Sequence, residues 1–205
     1  MRNIVIIDNG HGTRKYTKGK QSPDGSLYEG EWNRDIAKRL YKELEIIGLN
    51  PVLLVPEDED ISLEKRCAKV NDIIKKNPHD NIILISIHIN ASPLEGWDDK
   101  ACGESVFVCT NASGASVKLG QYFYEGVIKM NLKGNRCVPS EHVWRANYKI
   151  LRGVDCPAIL TENLFMTNHN EVKYLLSDKG KETIVNLHIM AVCKYFGVPC
   201  SVISS

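Results

Sequence analysis

Short apolar runs alternate along this chain with stretches in which apolar residues recur at helical spacing. Residues 3–7 are a β-branched apolar run that breaks at Asp8-Asn9-Gly10, the pattern of a buried strand entering a loop. A polar, Gly-containing and basic stretch over 12–26 predicts a long surface loop. Trp32, Ile36, Leu40, Leu44 and Ile47 then share one helical face, with Gly48 as the stop. Residues 51–55 predict a second strand, ended by Pro56 and an acidic cluster. Leu63, Cys67, Val70 and Ile74 predict a second helix, for which Ser62 is the N-cap. Residues 81–89 are almost wholly apolar, as expected of a central strand covered on both faces.

The second half continues the alternation. Beyond a loop rich in Pro, Gly and Asp, residues 105–109 predict a strand and 115–130 a helix, followed by an irregular segment over 131–149. Residues 157–161 form an apolar strand closing on Glu162, and 171–196 predict one short and one long helix. No internal repeat or low-complexity linker interrupts this order. It predicts an α/β fold, a single domain over residues 1–205 with a mostly parallel twisted sheet and helices on both faces. A separate binding module would need its own core, and no unclaimed segment is long enough for one.

Composition narrows the function classes. With 26 Lys and Arg against 25 Asp and Glu, the formal charge is +1, which excludes a globally basic nucleic-acid binder. No apolar run approaches the ~20 residues of a membrane span, so stable membrane insertion is not expected. The N-terminal apolar burst is too short for a signal-peptide core and lacks a small-residue cleavage site. The seven cysteines form no Cys-x-x-Cys pair, and Cys67, Cys109 and Cys193, set among apolar neighbours, read as small core residues.

The chemistry gathers at strand ends. His11 follows the first strand between Gly10 and Gly12, whose lack of side chains leaves an imidazole free to face a ligand. A lone strand-end histidine such as His88 is more often a hydrogen-bonded structural residue. Two of them at the carboxyl ends of two strands point to the crevice where open α/β sheets do their work. Glu29 and Glu31 stand at the start of the first helix. There an acid complements the helix dipole, or one of the two completes a His, Glu, His zinc site with a fourth position open to water. Glu162, ending its apolar strand, would be the base for that water. His79, His169 and His188 read as structural or exposed, and the irregular segment leaves His142 unassigned.

Four blocks in order resemble the zinc-dependent N-acetylmuramoyl-L-alanine amidases of the amidase-3 type. Ile7-Asp8-Asn9-Gly10-His11-Gly12 resembles that family's first metal motif, and residues 29–40 its glutamate-plus-helix block. In the family that acid stands seven residues before an apolar-Ala pair, here Ile36-Ala37, which selects Glu29 over Glu31. Ser86-Ile87-His88-Ile89-Asn90-Ala91 resembles the block of the second histidine ligand. Leu151-Arg152, Pro157 to Glu162 and Phe165-Met166-Thr167-Asn168 resemble the block of the catalytic glutamate. The chain departs from the pattern at Asn163-Leu164, where small residues are usual, in an enlarged 93–103 loop, and in a basic 12–26 loop.

The resemblance implies a phosphorylase/hydrolase-like fold and one Zn2+ per chain held by His11, Glu29 and His88. It implies Glu162 as general base, and hydrolysis of the amide between the muramoyl lactyl group and L-alanine of peptidoglycan. Asn90, Arg145 and Arg152 are the expected substrate contacts. Without an export signal, a phage or prophage lysin is expected, made in the cytoplasm and released to the cell wall with help from a hole-forming membrane protein. Two other readings stay open. One is a cytosolic zinc amidohydrolase or peptidase acting on a small N-acyl amino acid, and the other is a non-catalytic cell-wall-binding module.

Overall fold

The computed structural model describes residues 1–200. Six strands form one sheet in the order β2-β1-β3-β6-β4-β5, with β1 (Asn3–Asn9), β2 (Asn50–Leu53), β3 (Asn81–Asn90) and β6 (Ala158–Phe165) parallel. β4 (Ser105–Val108) runs antiparallel to β6, and β5 (Trp144–Arg145) is parallel to β4. The expected mostly parallel α/β sheet is therefore present, with β4 and β5 reversed at one edge.

Strand alternation explains the two-sided cover. Val5, Ile7, Ile83, Ile85, Ile87 and Ile159 face a core closed by α1 (Glu29–Ile46), α3 (Gly114–Lys129), α5 (His169–Leu176) and α6 (Asp178–Phe196). Ile4, Ile6, Leu84, Phe107 and Leu160 face the other way, onto α2 (Leu63–Lys76) and α4 (Lys149–Arg152). Each fully buried Ile or Leu contributes about 1.5–3 kcal/mol, so both faces hold the sheet. Ser62 caps α2 by accepting from Lys65 N, and Gly48 follows α1 at φ 87°, a conformation open to glycine. Among the described residues no helix is long and apolar enough to cross a membrane.

Three differences from the sequence reading are local. The segment expected to be irregular holds β5 and runs into the start of α4, elements that at two and four residues are too short to show a period. β6 runs past Glu162 to Phe165, through a bulge opposite His88 and Asn90 that places Leu164 at φ 59°. The short tail helix starts at His169, with Asn168 accepting from Asn170 N and Glu171 N.

β1 connects outward to β2, and the chain then crosses back to β3 on the other side of β1. The carboxyl ends of β1 and β3 flank this switch point, where an open α/β sheet parts to admit a ligand.

Candidate metal centre

His11 sits just past β1 at φ 63°, a left-handed conformation that costs free energy in a non-glycine residue. The surroundings hold it there. Arg34 Nη1 donates to His11 O at 2.8 Å, Asn33 Nδ2 donates to Gly10 O at 3.1 Å, and Gly12 N donates to Thr17 Oγ1 at 2.8 Å. Thr17 donates in turn to Asp60 at 2.7 Å, and buried Arg66 ties Asp60 to Asp8 and to the carbonyl of Asn9. Gly10 is required by its neighbour, since a Cβ there would lie 2.1 Å from His88 Cε1.

Glu29 opens α1 and is buried. Its Oε1 accepts from Ile89 N at 3.0 Å and lies 3.1 Å from His88 Nδ1, while Oε2 lies 3.5 Å from His11 Nε2. The two imidazoles meet edge to face at 5.0 Å. One ligand-competent atom from each of His11, Glu29 and His88 falls within 4.8 Å of the others. Glu31 turns away and takes Arg14 at 2.7 and 2.8 Å, with that guanidinium lying over the Tyr28 ring. Of the two acids, Glu29 is the one brought beside both histidines.

The charges in the cluster suit a cation. Burial works to raise the Glu29 pKa, but the hydrogen bond and charge of His88, with the charge of His11, hold it below its usual value. Burial likewise opposes charge on His88, yet Glu29 keeps its pKa above normal, while burial drives that of His11 down. A buried carboxylate needs compensating positive charge, either a proton on His88 or a metal ion among the three donors. Two imidazoles and one carboxylate match the donor set of catalytic zinc sites.

Glu162 lies opposite His88 in the β3–β6 register and opposite Ser105 in the β6–β4 register. Its Oε2 is buried without a hydrogen-bond partner, and burial raises its pKa to about 7. Beneath this edge a polar chain leads in from α6. His188 Nδ1 is 2.7 Å from Ile184 O and donates to it, leaving Nε2 to accept from Thr161 Oγ1 at 3.0 Å. Asn163 Nδ2 donates to Thr161 Oγ1 at 3.1 Å and to His88 O at 2.7 Å. Glu104 is buried with neither carboxylate oxygen partnered, and desolvation, with the charges of Glu171 and Glu162, raises its pKa well above the usual range.

The remaining sequence-based candidates lie apart from this cluster or beside it. Asn90 is two residues beyond His88, with its Oδ1 accepting from Ala91 N. Arg145 is on β5, its guanidinium engaged by Glu141 and by Thr110 O. Arg152, on α4, lines a cleft with Asp155 and Ala158 at the amino end of β6, away from Glu162. His142 is exposed at φ 59° with its ring beside Tyr124. His188 is buried and His169 stacks on Trp97. The seven cysteines are all free, with Cys67, Cys109 and Cys193 buried.

Sequence reasoning missed Asn33, Arg34 and Arg66, which clamp the His11 turn, and Arg136, whose charge reaches Glu162, as does that of Lys20 from the basic 12–26 loop. Among the named candidates, Arg145 carried a sequence sign that it is already engaged. Glu141 stands four residues before it, the spacing of a local ion pair.

The family model described as N-acetylmuramoyl-L-alanine amidase matches residues 5–194. An endolysin of Bacillus phage SPP1 is 25% identical over 197 residues, covering 95% of this chain and 66% of that protein. The amidase LytC of Bacillus subtilis is 26% identical over 184 residues, covering 88% of this chain and 34% of its own length. The chain thus spans about two thirds of the first relative and about one third of the second. The crystal structure of an N-acetylmuramoyl-L-alanine amidase from Clostridium difficile 630 superposes with a TM-score of 0.79 at 26% identity, over 96% of this chain and 97% of that one.

Proposed function

The chain belongs to the N-acetylmuramoyl-L-alanine amidase family, and from that membership we propose that it hydrolyses the amide joining the muramoyl lactyl group to L-alanine in peptidoglycan. One zinc ion is held by His11, Glu29 and His88, and Glu162 is the general base. The observation that carries this reading is the convergence of three metal-competent side chains next to a buried, unpartnered carboxylate.

The residues divide the work. A bound zinc ion would supply Lewis acidity, polarising the scissile carbonyl and acidifying the attacking water. Glu29 contributes the negative charge that makes the donor set bind a dication, and Ile89 N fixes its Oε1. The Asn163 hydrogen bond to His88 O holds the end of β3, and with it the imidazole, at a set height above the sheet. Glu162 Oε2, with no competing donor, takes the proton of the attacking water and returns it to the alanine nitrogen as the amide bond breaks.

Likeness to a phage endolysin supports a lysin that reaches the wall through a hole-forming membrane protein encoded by the same phage or prophage. The test is metal analysis of the purified protein together with clearing of purified cell walls. Clearing should expose new N-terminal alanine in step with zinc content. Turnover of small N-acyl amino acids without wall clearing would replace the reading with a small-substrate zinc amidohydrolase.

A further inference from the structure

Two clefts flank the His11, Glu29, His88 cluster, and their charges differ. The first, of about 550 Å³, opens past His11 toward Tyr16, Asp60 and Ser62. Its one guanidinium, Arg66, is already bound to Asp8 and Asp60. Among the described residues that line this cleft none offers an unpaired cation, and beyond the lining the charge of Lys20 reaches His11 and Glu162 from the 12–26 loop. The second, of about 500 Å³, starts at Asn90 and Phe165 and is bordered by Lys100, Asn135 and Arg136. Its single carboxylate, Asp98, is taken by Ser92 Oγ at 2.6 Å and Lys100 N at 3.1 Å. Among the described residues neither the Lys100 ammonium nor the Arg136 guanidinium is paired with an acid.

Arg136 is exposed but fixed. Its guanidinium lies over Phe107 at 5.6 Å and Trp144 at 5.3 Å, and Nη1 donates to Ser105 Oγ at 3.2 Å. Ser105 is the register partner of Glu162, so this cation stands beside the proposed base on the same face of the sheet. The loop that carries it is docked. Glu104 N donates to Leu132 O at 3.0 Å, Asn135 donates to Lys100 O, and a Cβ on Gly134 would lie 1.6 Å from Cys102 O. The same contacts join the loops bearing Lys100 and Arg136, so both cations reach one cleft from a shared support.

The proposed substrate has the opposite asymmetry. On one side of its amide lies an uncharged acylated sugar, and on the other a peptide bearing carboxylates. We propose that the Asn90 cleft is the subsite for the peptide half, with Arg136 and Lys100 receiving a peptide carboxylate, which leaves the sugar half to the cleft past His11. The assignment rests on the amidase reading of the centre. It gives the substrate a direction across the site, with the leaving nitrogen on the Glu162 side, where the returning proton is needed.

The test is calorimetric titration of the zinc-loaded chain with the dipeptide L-Ala-L-Glu and with its diamide, alongside kinetics on muramoyl peptides with free or amidated carboxyls. The free acid should bind about tenfold tighter than the diamide, as a charge-assisted contact predicts, and the margin should shrink in high salt. Arg136→Gln should erase that preference, and the kinetic counterpart should be a raised KM for the free-acid substrate with kcat little changed. Arg136→Lys, which keeps the charge, should retain most of the preference, and Lys118→Gln, at the far end of the sheet, should retain all of it. A preference that survives Arg136→Gln in a chain of wild-type melting temperature overturns the assignment, as does the lack of any preference in the wild type. A chain that keeps an Arg136-dependent preference yet cleaves no muramoyl peptide would overturn the amidase reading and leave the anion subsite standing.

Discussion

Two clefts of nearly equal size open at opposite ends of the same sheet. The one at the amino end, about 560 Å³, is bordered by Ile74, Cys156, Tyr195 and Phe196, while the one past His11 measures about 550 Å³. Volume does not distinguish them. At the amino end polar side chains near the surface are paired. Arg2 takes Asp80 at 2.8 and 3.0 Å, and Asn81 donates to Asn3 at 2.9 Å. At the carboxyl end Asn9, Asn33, Glu104, Glu162 and Asn163 all carry buried atoms without partners, and His11 and Leu164 are left-handed. Unsatisfied buried polar atoms cost about 1–3 kcal/mol each, so a fold that gathers them at one end is tolerating a local cost beside the proposed centre.

The contrast breaks most visibly at the ligands. His88→Ala or Glu29→Gln should remove bound zinc and abolish wall hydrolysis, whereas Glu31→Ala should leave the metal in place, as atomic absorption on the purified variants will show. Zinc retained by Glu29→Gln and lost by Glu31→Ala would invert the assignment of the acid.

The next effect is that of Glu162→Gln. Zinc content and melting temperature should hold while turnover falls ~10²–10⁴-fold, the cost of removing a general base. The wild-type rate should also fall on acidification through the range of Glu162, whose pKa burial raises to about 7. The variant should lack that acidic limb. Full activity in a zinc-loaded Glu162→Gln chain would leave the reaction without its base.

A smaller effect concerns stability against pH. Glu104 has a folded pKa raised by burial, so its contribution is intact below the ordinary carboxylate range and is lost as pH rises through the raised value. Melting temperatures taken from about pH 5 upward should fall less steeply in Glu104→Gln than in the wild type. The step from Glu171, whose pKa burial lifts to about 7, should remain. Parallel curves for the two proteins would mean that Glu104 does not ionise across this range.

At the amino end the expectation is close to nothing. Asp80→Asn weakens a pair with an exposed Arg2 side chain, worth about 0–1 kcal/mol, and should leave hydrolysis unchanged. A large loss of activity there would mean that the two ends are coupled.

Much of this was legible in the sequence because the signals are periodic or local. Strands buried on both faces read as continuous apolar runs, α2 announces its cap at Ser62, and a histidine between glycines stands out at position 11. The structure adds what depends on distant partners. Asn33 and Arg34 look like ordinary helix-surface residues until α1 packs against the Gly10–His11 turn. Glu104 looks like a solvated residue before a strand until the 131–136 loop closes over it. Arg145 and Arg152 attracted notice by preceding the Glu162 strand, but the cation that reaches Glu162 from that segment is Arg136, in a stretch with no period to read.

His11, Glu29 and His88 all lie within the first 88 residues, yet part of what steadies them comes from beyond residue 160. Trp32 Nε1, one turn into the helix that Glu29 opens, donates to Leu175 O, and the chain of bonds ending at His88 O begins at His188. A nascent polypeptide halted before β6 would own every donor of the proposed metal site but lack Asn163, Leu175 and His188. The centre is therefore completed only when β6, α5 and α6 pack against elements far earlier in the sequence, His88 standing 75 residues before Asn163 and Trp32 143 residues before Leu175.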